Sequence, residues 1–159
     1  MTLHVADTSS LIDLQSRYPP DLFPSLWAIV ERRIAEGKLV APREVLRELE
    51  KRNDELLEWV KTQDGFILTD EETQDLIPEA RRIRQTYPML EAGGRRHPNP
   101  RSADPWVVAL AKSRQAAVIT EEQSDPRQPD IRYIPDACKA EGIPSKRLLA
   151  WLRDIGLKL

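Results

Sequence analysis

Short apolar runs alternate with longer amphipathic stretches along the chain, and this alternation predicts parallel βαβ units. Apolar runs of strand length occupy residues 3–6, 39–41, 66–68, 116–120 and 131–134. Apolar residues at helical spacing fill the intervals between them. The pattern predicts a single domain over residues 1–159, a three-layer α/β/α fold around a mostly parallel sheet of about five strands.

Local signals predict where several helices begin and where regular structure stops. Thr69 or Asp70 is suited to cap one helix, Asp104 begins a strongly apolar helix, and Ser145 is suited to cap the last helix. Residues 93–101 contain two glycines and two prolines and show no periodicity. This composition predicts a loop.

Composition indicates an ordinary globular protein in a reducing compartment. Hydrophobic residues make up 40% of the 159 residues and charged residues 31%. The single cysteine, Cys138, has no partner for an internal disulfide, so we expect a buried, unreactive thiol. We see no secretory signal and no apolar run near the roughly twenty residues of a membrane span. The expected location is the cytoplasm, with no membrane partner.

The formal net charge of −2 conceals an asymmetry between the two halves of the sequence. Residues 1–80 hold 9 basic and 17 acidic residues, whereas residues 81–159 hold 15 basic and 9 acidic residues. The halves therefore carry −8 and +6. A basic half is one indication of a surface that binds a polyanion, although a solvated charged surface explains it equally well.

Four carboxylates stand where a predicted strand ends or a predicted helix begins: Asp7, Glu48, Asp104 and Glu122. An open α/β sheet gathers its ligands at the carboxyl ends of its strands, so we expect these groups to meet. Carboxylates brought together repel one another unless a cation neutralises them, and hard divalent cations prefer oxygen ligands. The sequence therefore predicts a Mg²⁺ or Mn²⁺ site.

Four motifs in order resemble those of the PIN-domain ribonucleases, a group that includes VapC-like toxins. They are D-T-S-S-L-I from Asp7, P-x-x-V-x-x-E-L from Pro42, A-D-P-W-V-V-A-L-A from Ala103 and V-I-T-x-E from Val118. The resemblance covers residues 3 to about 137. It implies a metal-dependent endoribonuclease that leaves 5′-phosphate and 3′-hydroxyl ends.

The resemblance also implies roles for particular residues. It implies metal binding and catalysis by Asp7, Glu48, Asp104 and Glu122. Ser9 then helps to hold the site, and the Thr120 hydroxyl orients the carboxylates. The cofactor is Mg²⁺ or Mn²⁺, which activates a water molecule to attack the phosphate.

Alternatives remain open at two of the acidic positions. Asp7 and Asp104 each stand at the start of a helix, so each is also suited to a purely structural role as an N-cap. Both roles are compatible at Asp104 if Ser102 takes the cap.

The second and fourth acidic positions each have competitors. Glu44 lies one turn before Glu48 on the same helical face and can assist or replace it. The family often shows T-x-D at the fourth position, where this chain has two successive glutamates. The fourth carboxylate therefore comes from Glu121, Glu122 or Asp125, and the register favours Glu122.

Partners follow from the same resemblance. Arg95, Arg96 and Arg101 are suited to contact the RNA backbone, although a solvated loop explains any one of them equally well. A cognate antitoxin and a second copy of the chain are further candidate partners. The alternative functions are a PIN-like module that binds RNA or protein without cleaving, and a housekeeping RNA-processing nuclease. The four tryptophans fall one per helix, which favours core or interface anchors.

Overall fold

A computed structural model describes residues 2–52 and 54–158. In these residues the sheet has four strands in the order β2-β1-β3-β4. The strands are β1 (His4–Ala6), β2 (Leu39–Val40), β3 (Ala117–Ile119) and β4 (Ser145–Lys146). The helices are α1 (Thr8–Arg17), α2 (Pro24–Ala35), α3 (Arg43–Glu50), α4 (Glu55–Thr62), α5 (Asp70–Thr86), α6 (Asp104–Arg114), α7 (Ile134–Glu141) and α8 (Leu148–Asp154), with a 3₁₀ helix at Pro88–Glu91.

Strand β1 lies inside the sheet, and every pairing is parallel. His4 pairs with Leu39 of β2 and with Ala117 of β3, and β3 pairs in turn with β4. Every residue of β1, β2 and β3 is buried. Because alternate side chains of a strand point to opposite faces, both faces of the sheet are covered. The predicted α/β/α class is confirmed.

The sheet has four strands rather than about five because two predicted strands were wrong. Residues 131–134 form no strand: Ile134 begins α7, and Pro135 occupies the first turn of that helix. A proline with no N–H to donate fits a first helical turn and not a buried strand. Residues 66–68 form only an isolated bridge, between Ile67 and Ala41.

The fourth strand lies where a helix cap was predicted. Ser145 belongs to β4, and Arg147 is the residue that precedes α8. The Thr120 N–H donates to the Lys146 carbonyl oxygen at 3.0 Å, which fixes the pairing through backbone groups. A two-residue, partly exposed edge strand has too few side chains in the core to create an apolar signal.

Other local predictions are confirmed. Thr69 caps α5 and forms a reciprocal capping box with Glu72. Cys138 is buried. Trp27 and Trp151 are core residues, whereas Trp59 and Trp106 are only partly buried against the core. No helix in the described parts of the chain combines the length and the apolar character needed to cross a bilayer.

Candidate functional site

A cavity of about 310 Å³ opens beside the carboxyl ends of β1 and β3. We call it the acidic cavity, because its wall contains Asp7, Glu48, Asp104 and Glu122. These are the four carboxylates that the sequence singles out, and they come from four separate segments of the chain. The remaining wall includes Thr8, Ser9 and residues 91–95, where a fifth carboxylate, Glu91, is paired with Arg84 at 2.7 Å.

Asp7 is the most deeply buried of the four carboxylates, with only 2% of its surface exposed. It follows β1 directly and caps α1: the Ser10 N–H donates to its Oδ1 at 2.8 Å. The Ser9 hydroxyl donates to the same carboxylate, at 2.8 Å from Oδ2. Asp7 therefore serves as an N-cap and also presents its carboxylate to the cavity, so the two alternatives for this residue are compatible.

Thr120 connects the ends of the two central strands. Its hydroxyl donates to Asp7 Oδ2 at 2.5 Å and accepts from the Glu122 N–H at 3.1 Å. The Ser9 hydroxyl in turn accepts from the Glu121 N–H at 3.0 Å. Ser9 and Thr120 thus hold the Asp7 carboxylate and the backbone that carries Glu122 in one hydrogen-bonded unit.

Glu48 reaches the cavity from α3. The Thr8 hydroxyl donates to its Oε1 at 2.9 Å, a contact between helices that links residues 40 positions apart. Thr8 was not singled out from the sequence, because its position in D-T-S-S does not reveal that α3 packs there. Glu44 lies on the same helix but outside the acidic cavity, in the wall of a neighbouring one.

Asp104 and Glu122 are the other two carboxylates in the wall of the cavity. Asp104 is the first residue of α6, whose N-cap is Ala103, and no side-chain capping bond forms there. The Ser102 hydroxyl accepts from the Asp104 N–H at 3.2 Å, which leaves the Asp104 carboxyl free of any capping role. Glu122 accepts from the Ile134 N–H at 2.8 Å, which fixes its side chain to the start of α7.

Burial and mutual repulsion raise the pKa values in the acidic cavity. Burial raises the pKa of Asp7 to about 6, although hydrogen bonds from Thr120 and its neighbours oppose the change. Burial raises the pKa of Glu122 to about 7, and the charges of Asp7 and Glu48 add to this. Burial and then the charges of Glu122, Asp7 and Glu48 raise the pKa of Asp104. Groups of this kind gather at functional sites.

The other two candidates for the fourth carboxylate, Glu121 and Asp125, lie outside the acidic cavity. Glu121 accepts from the Leu148 N–H at 2.7 Å and from the Arg147 guanidinium at 2.8 Å. Asp125 pairs with the exposed Arg127 at 3.0 Å. Among the three candidates, the structure brings only Glu122 into the wall of the acidic cavity.

The three arginines predicted to contact RNA occupy different places. Arg95 lines the acidic cavity and Arg101 lines the neighbouring cavity, whereas Arg96 lines neither. Arg132, which was not predicted from the sequence, lies outside the acidic cavity and supports the loop at residues 93–95. Its guanidinium donates to the Arg95 carbonyl oxygen at 3.0 Å and to that of Gly93 at 3.4 Å.

Arg132→Leu is expected to loosen the loop that walls the acidic cavity. Hydrogen bonds from a charged donor contribute about 1.5–3 kcal/mol. We therefore expect hydrogen exchange at the Arg95 amide, which donates to Ala92 at 2.8 Å, to accelerate by at least about tenfold. NMR-detected exchange at pH 7 measures this. Arg96 is exposed and follows Arg95 in the sequence, so Arg96→Leu is the control. Equal rates of hydrogen exchange in the two variants would contradict the role of Arg132.

The acidic cavity offers the kind of donor atom that a hard divalent cation prefers. All four carboxylates offer oxygen, and a cation would relieve the repulsion that adds to the raised pKa values of Asp104 and Glu122. Within residues 2–52 and 54–158, no three histidine, cysteine, aspartate or glutamate side chains are arranged as ligands of one ion. A cation bound here would compete with protons for the same carboxylate oxygens.

The chain belongs to the family described as a domain of unknown function, DUF4411, whose family model matches residues 4–159. The match covers all four strands and the four carboxylates of the acidic cavity. No curated protein shows significant similarity to the chain.

Proposed function

We propose that this protein is a Mg²⁺- or Mn²⁺-dependent endoribonuclease of the PIN type. The observation that carries the proposal is the meeting of Asp7, Glu48, Asp104 and Glu122 in one cavity at the carboxyl ends of β1 and β3. Those four residues belong to the four motifs that resemble PIN-domain ribonucleases. The resemblance supports RNA as the substrate.

In this proposal the four carboxylates bind the cation, and the hydroxyl groups of Thr8, Ser9 and Thr120 position the carboxylates. A divalent cation bound there lowers the pKa of a coordinated water and neutralises charge on the phosphate. Ser9 and Thr120 fix the Asp7 carboxylate, and Thr8 fixes Glu48. Arg95, on the loop held by Arg132, is suited to contact the RNA backbone.

Two cavities that adjoin the acidic cavity support a single-stranded nucleic acid as the substrate. Glu48 also lines a cavity of about 560 Å³ that contains Arg47, Lys51 and Arg101. Glu122 also lines one of about 380 Å³ that contains Lys146 and Arg147. Cationic side chains therefore line two cavities that adjoin the four carboxylates, as a single strand with a phosphate at every nucleotide requires.

Cleavage of a mixed RNA pool tests the proposal. We expect cutting with Mn²⁺ or Mg²⁺, none with EDTA, and none by the Asp104→Asn protein purified in the same way. Single-stranded DNA of matching sequence tests the preference for RNA. Folded protein that binds RNA but never cuts it would instead favour a binding module.

The toxin role extends the proposal and is carried by the resemblance to VapC-like proteins. Expression of the chain in a bacterial host is then expected to arrest growth, and loss of the acidic site is expected to relieve the arrest. A housekeeping nuclease would leave growth unchanged. A short neighbouring gene encoding an antitoxin would support the toxin role.

A further inference from the structure

A second cavity adjoins the acidic cavity, and Glu48 lines both. We call it the Trp106 cavity. It measures about 560 Å³ and lies between α3, the end of α5 and the start of α6. The side chains on which the following argument rests are Glu44, Arg47, Lys51, Arg101 and Trp106.

Glu44 has an unsatisfied carboxylate in the wall of this cavity. Only 6% of its surface is exposed, and its Oε2 has no hydrogen-bond partner. The nearest cation, Arg47, is 3.9 Å from the other oxygen and has a largely exposed side chain. A buried acceptor without a donor costs free energy, so a ligand that brings N–H groups to Glu44 gains by satisfying it.

The rest of the wall is suited to a nucleotide. Arg47, Lys51 and Arg101 are exposed cations in the wall of the same cavity, where phosphates can meet them. Trp106 packs partly against the core yet also lines the cavity, so part of the indole is available to a ligand. Cations for phosphates and an aromatic ring for a base are the usual elements of single-strand binding.

We propose that the Trp106 cavity binds the base of a guanine nucleotide adjacent to the phosphate that the acidic cavity cuts, an inference that rests on the proposed nuclease function. Guanine presents two adjacent donors, N1–H and N2–H₂, to which a carboxylate can accept in bidentate fashion. Adenine and cytosine each offer one amino group beside an acceptor. Uracil offers one N–H between two acceptors. Glu44 therefore selects guanine among the four bases.

Nucleotide binding to the protein in EDTA tests this inference without cleavage. We expect 5′-GMP to bind at least about tenfold more tightly than 5′-AMP, 5′-CMP or 5′-UMP, as a good bidentate pair provides. Glu44→Gln is expected to remove the preference, whereas the exposed control Glu55→Gln on α4 keeps it. Fluorescence quenching that is lost in Trp106→Phe would place the base against the indole. Equal binding of the four nucleotides, or a preference unchanged in Glu44→Gln, would overturn the proposal.

Mapping of cleavage positions separates this inference from the nuclease function. With Mn²⁺ and a random RNA pool, we expect guanine at one fixed position beside the cut. Among the cuts that Glu44→Gln makes, that enrichment is expected to disappear, whereas the exposed control Glu55→Gln keeps it. Cutting without base preference in the unaltered protein rejects the guanine site alone. Absence of cutting rejects the nuclease function, and the 5′-GMP measurement then decides the guanine site by itself.

Discussion

Asp7→Asn is expected to reduce metal-dependent RNA cleavage by more than about 100-fold, because loss of even an outer partner of a metal site costs 10–100-fold. The substitution keeps the size of the side chain and an oxygen that can accept from Ser10. It removes the charge that a cation would meet. Gel-based cleavage rates at saturating Mn²⁺ measure the loss. Asp13→Asn is the matched control, since Asp13 lies on the same helix and pairs with the exposed Arg17 outside the cavity.

The same substitution is expected to remove a loss of stability that the metal-free protein suffers as the pH rises. Burial raises the Asp7 pKa from 3.8 to about 6. A carboxyl group whose pKa is higher in the folded protein favours folding only while it is protonated. Its contribution is complete below about pH 4 and is lost as the pH rises through about 6. The difference between the two pKa values corresponds to about 3 kcal/mol.

Urea unfolding at several pH values in EDTA measures this effect. From pH 4 to pH 7.5, Asp7→Asn is expected to gain about 3 kcal/mol in free energy of unfolding relative to the unaltered protein. Mn²⁺ is expected to stabilise the unaltered protein and not the variant. A constant difference between the two proteins across this pH range would show that the Asp7 charge costs no stability, contrary to its burial.

Affinity for Mn²⁺ is expected to fall by roughly 100-fold from pH 7.5 to pH 5.5, because the cation must displace protons from the acidic cavity. Glu122, with a pKa of about 7, accounts for about 25-fold of this. Asp7, with a pKa of about 6, accounts for about 4-fold. The raised pKa of Asp104 acts in the same direction.

Calorimetric titration with Mn²⁺ at each pH measures the affinity and the protons released. Glu122→Gln removes the larger factor, so the remaining dependence on pH is expected to shrink to a few-fold. Glu121→Gln is its control, because Glu121 is the adjacent residue and lies outside the cavity. Affinity independent of pH would mean that the cation does not bind at these carboxylates.

Strand-end carboxylates could be predicted because their positions depend on local signals. Asp7 follows a fully buried strand, and Asp104 begins an apolar helix that carries Pro105 in its first turn. A parallel sheet then brings strand ends to one edge whatever the lengths of the connections. The choice of Glu122 over Glu121 comes from the resemblance, because Glu122 stands two positions after Thr120, as the aspartate does in the T-x-D motif of the resembling family.

Contacts between helices could not be predicted in the same way. The bond from Thr8 to Glu48 and the support that Arg132 gives to residues 93–95 depend on packing across 37 to 40 positions. Neither contact has a local sequence signature. The strand wrongly predicted at 131–134 shows the opposite weakness, because its apolar residues suit a strand until Pro135 is read as part of a first helical turn.

The place of β1 inside the sheet determines when the acidic cavity is completed during synthesis. Asp7 leaves the ribosome well before the hydroxyl that holds its carboxylate, which belongs to Thr120, 113 positions later. β3, the neighbour of β1 on that side, is likewise made long after β1. Because a chain is made from its N-terminus, every shorter nascent chain lacks Glu122 and the strand that positions it. A chain that cuts RNA would therefore stay inactive at least until Glu122 has been made.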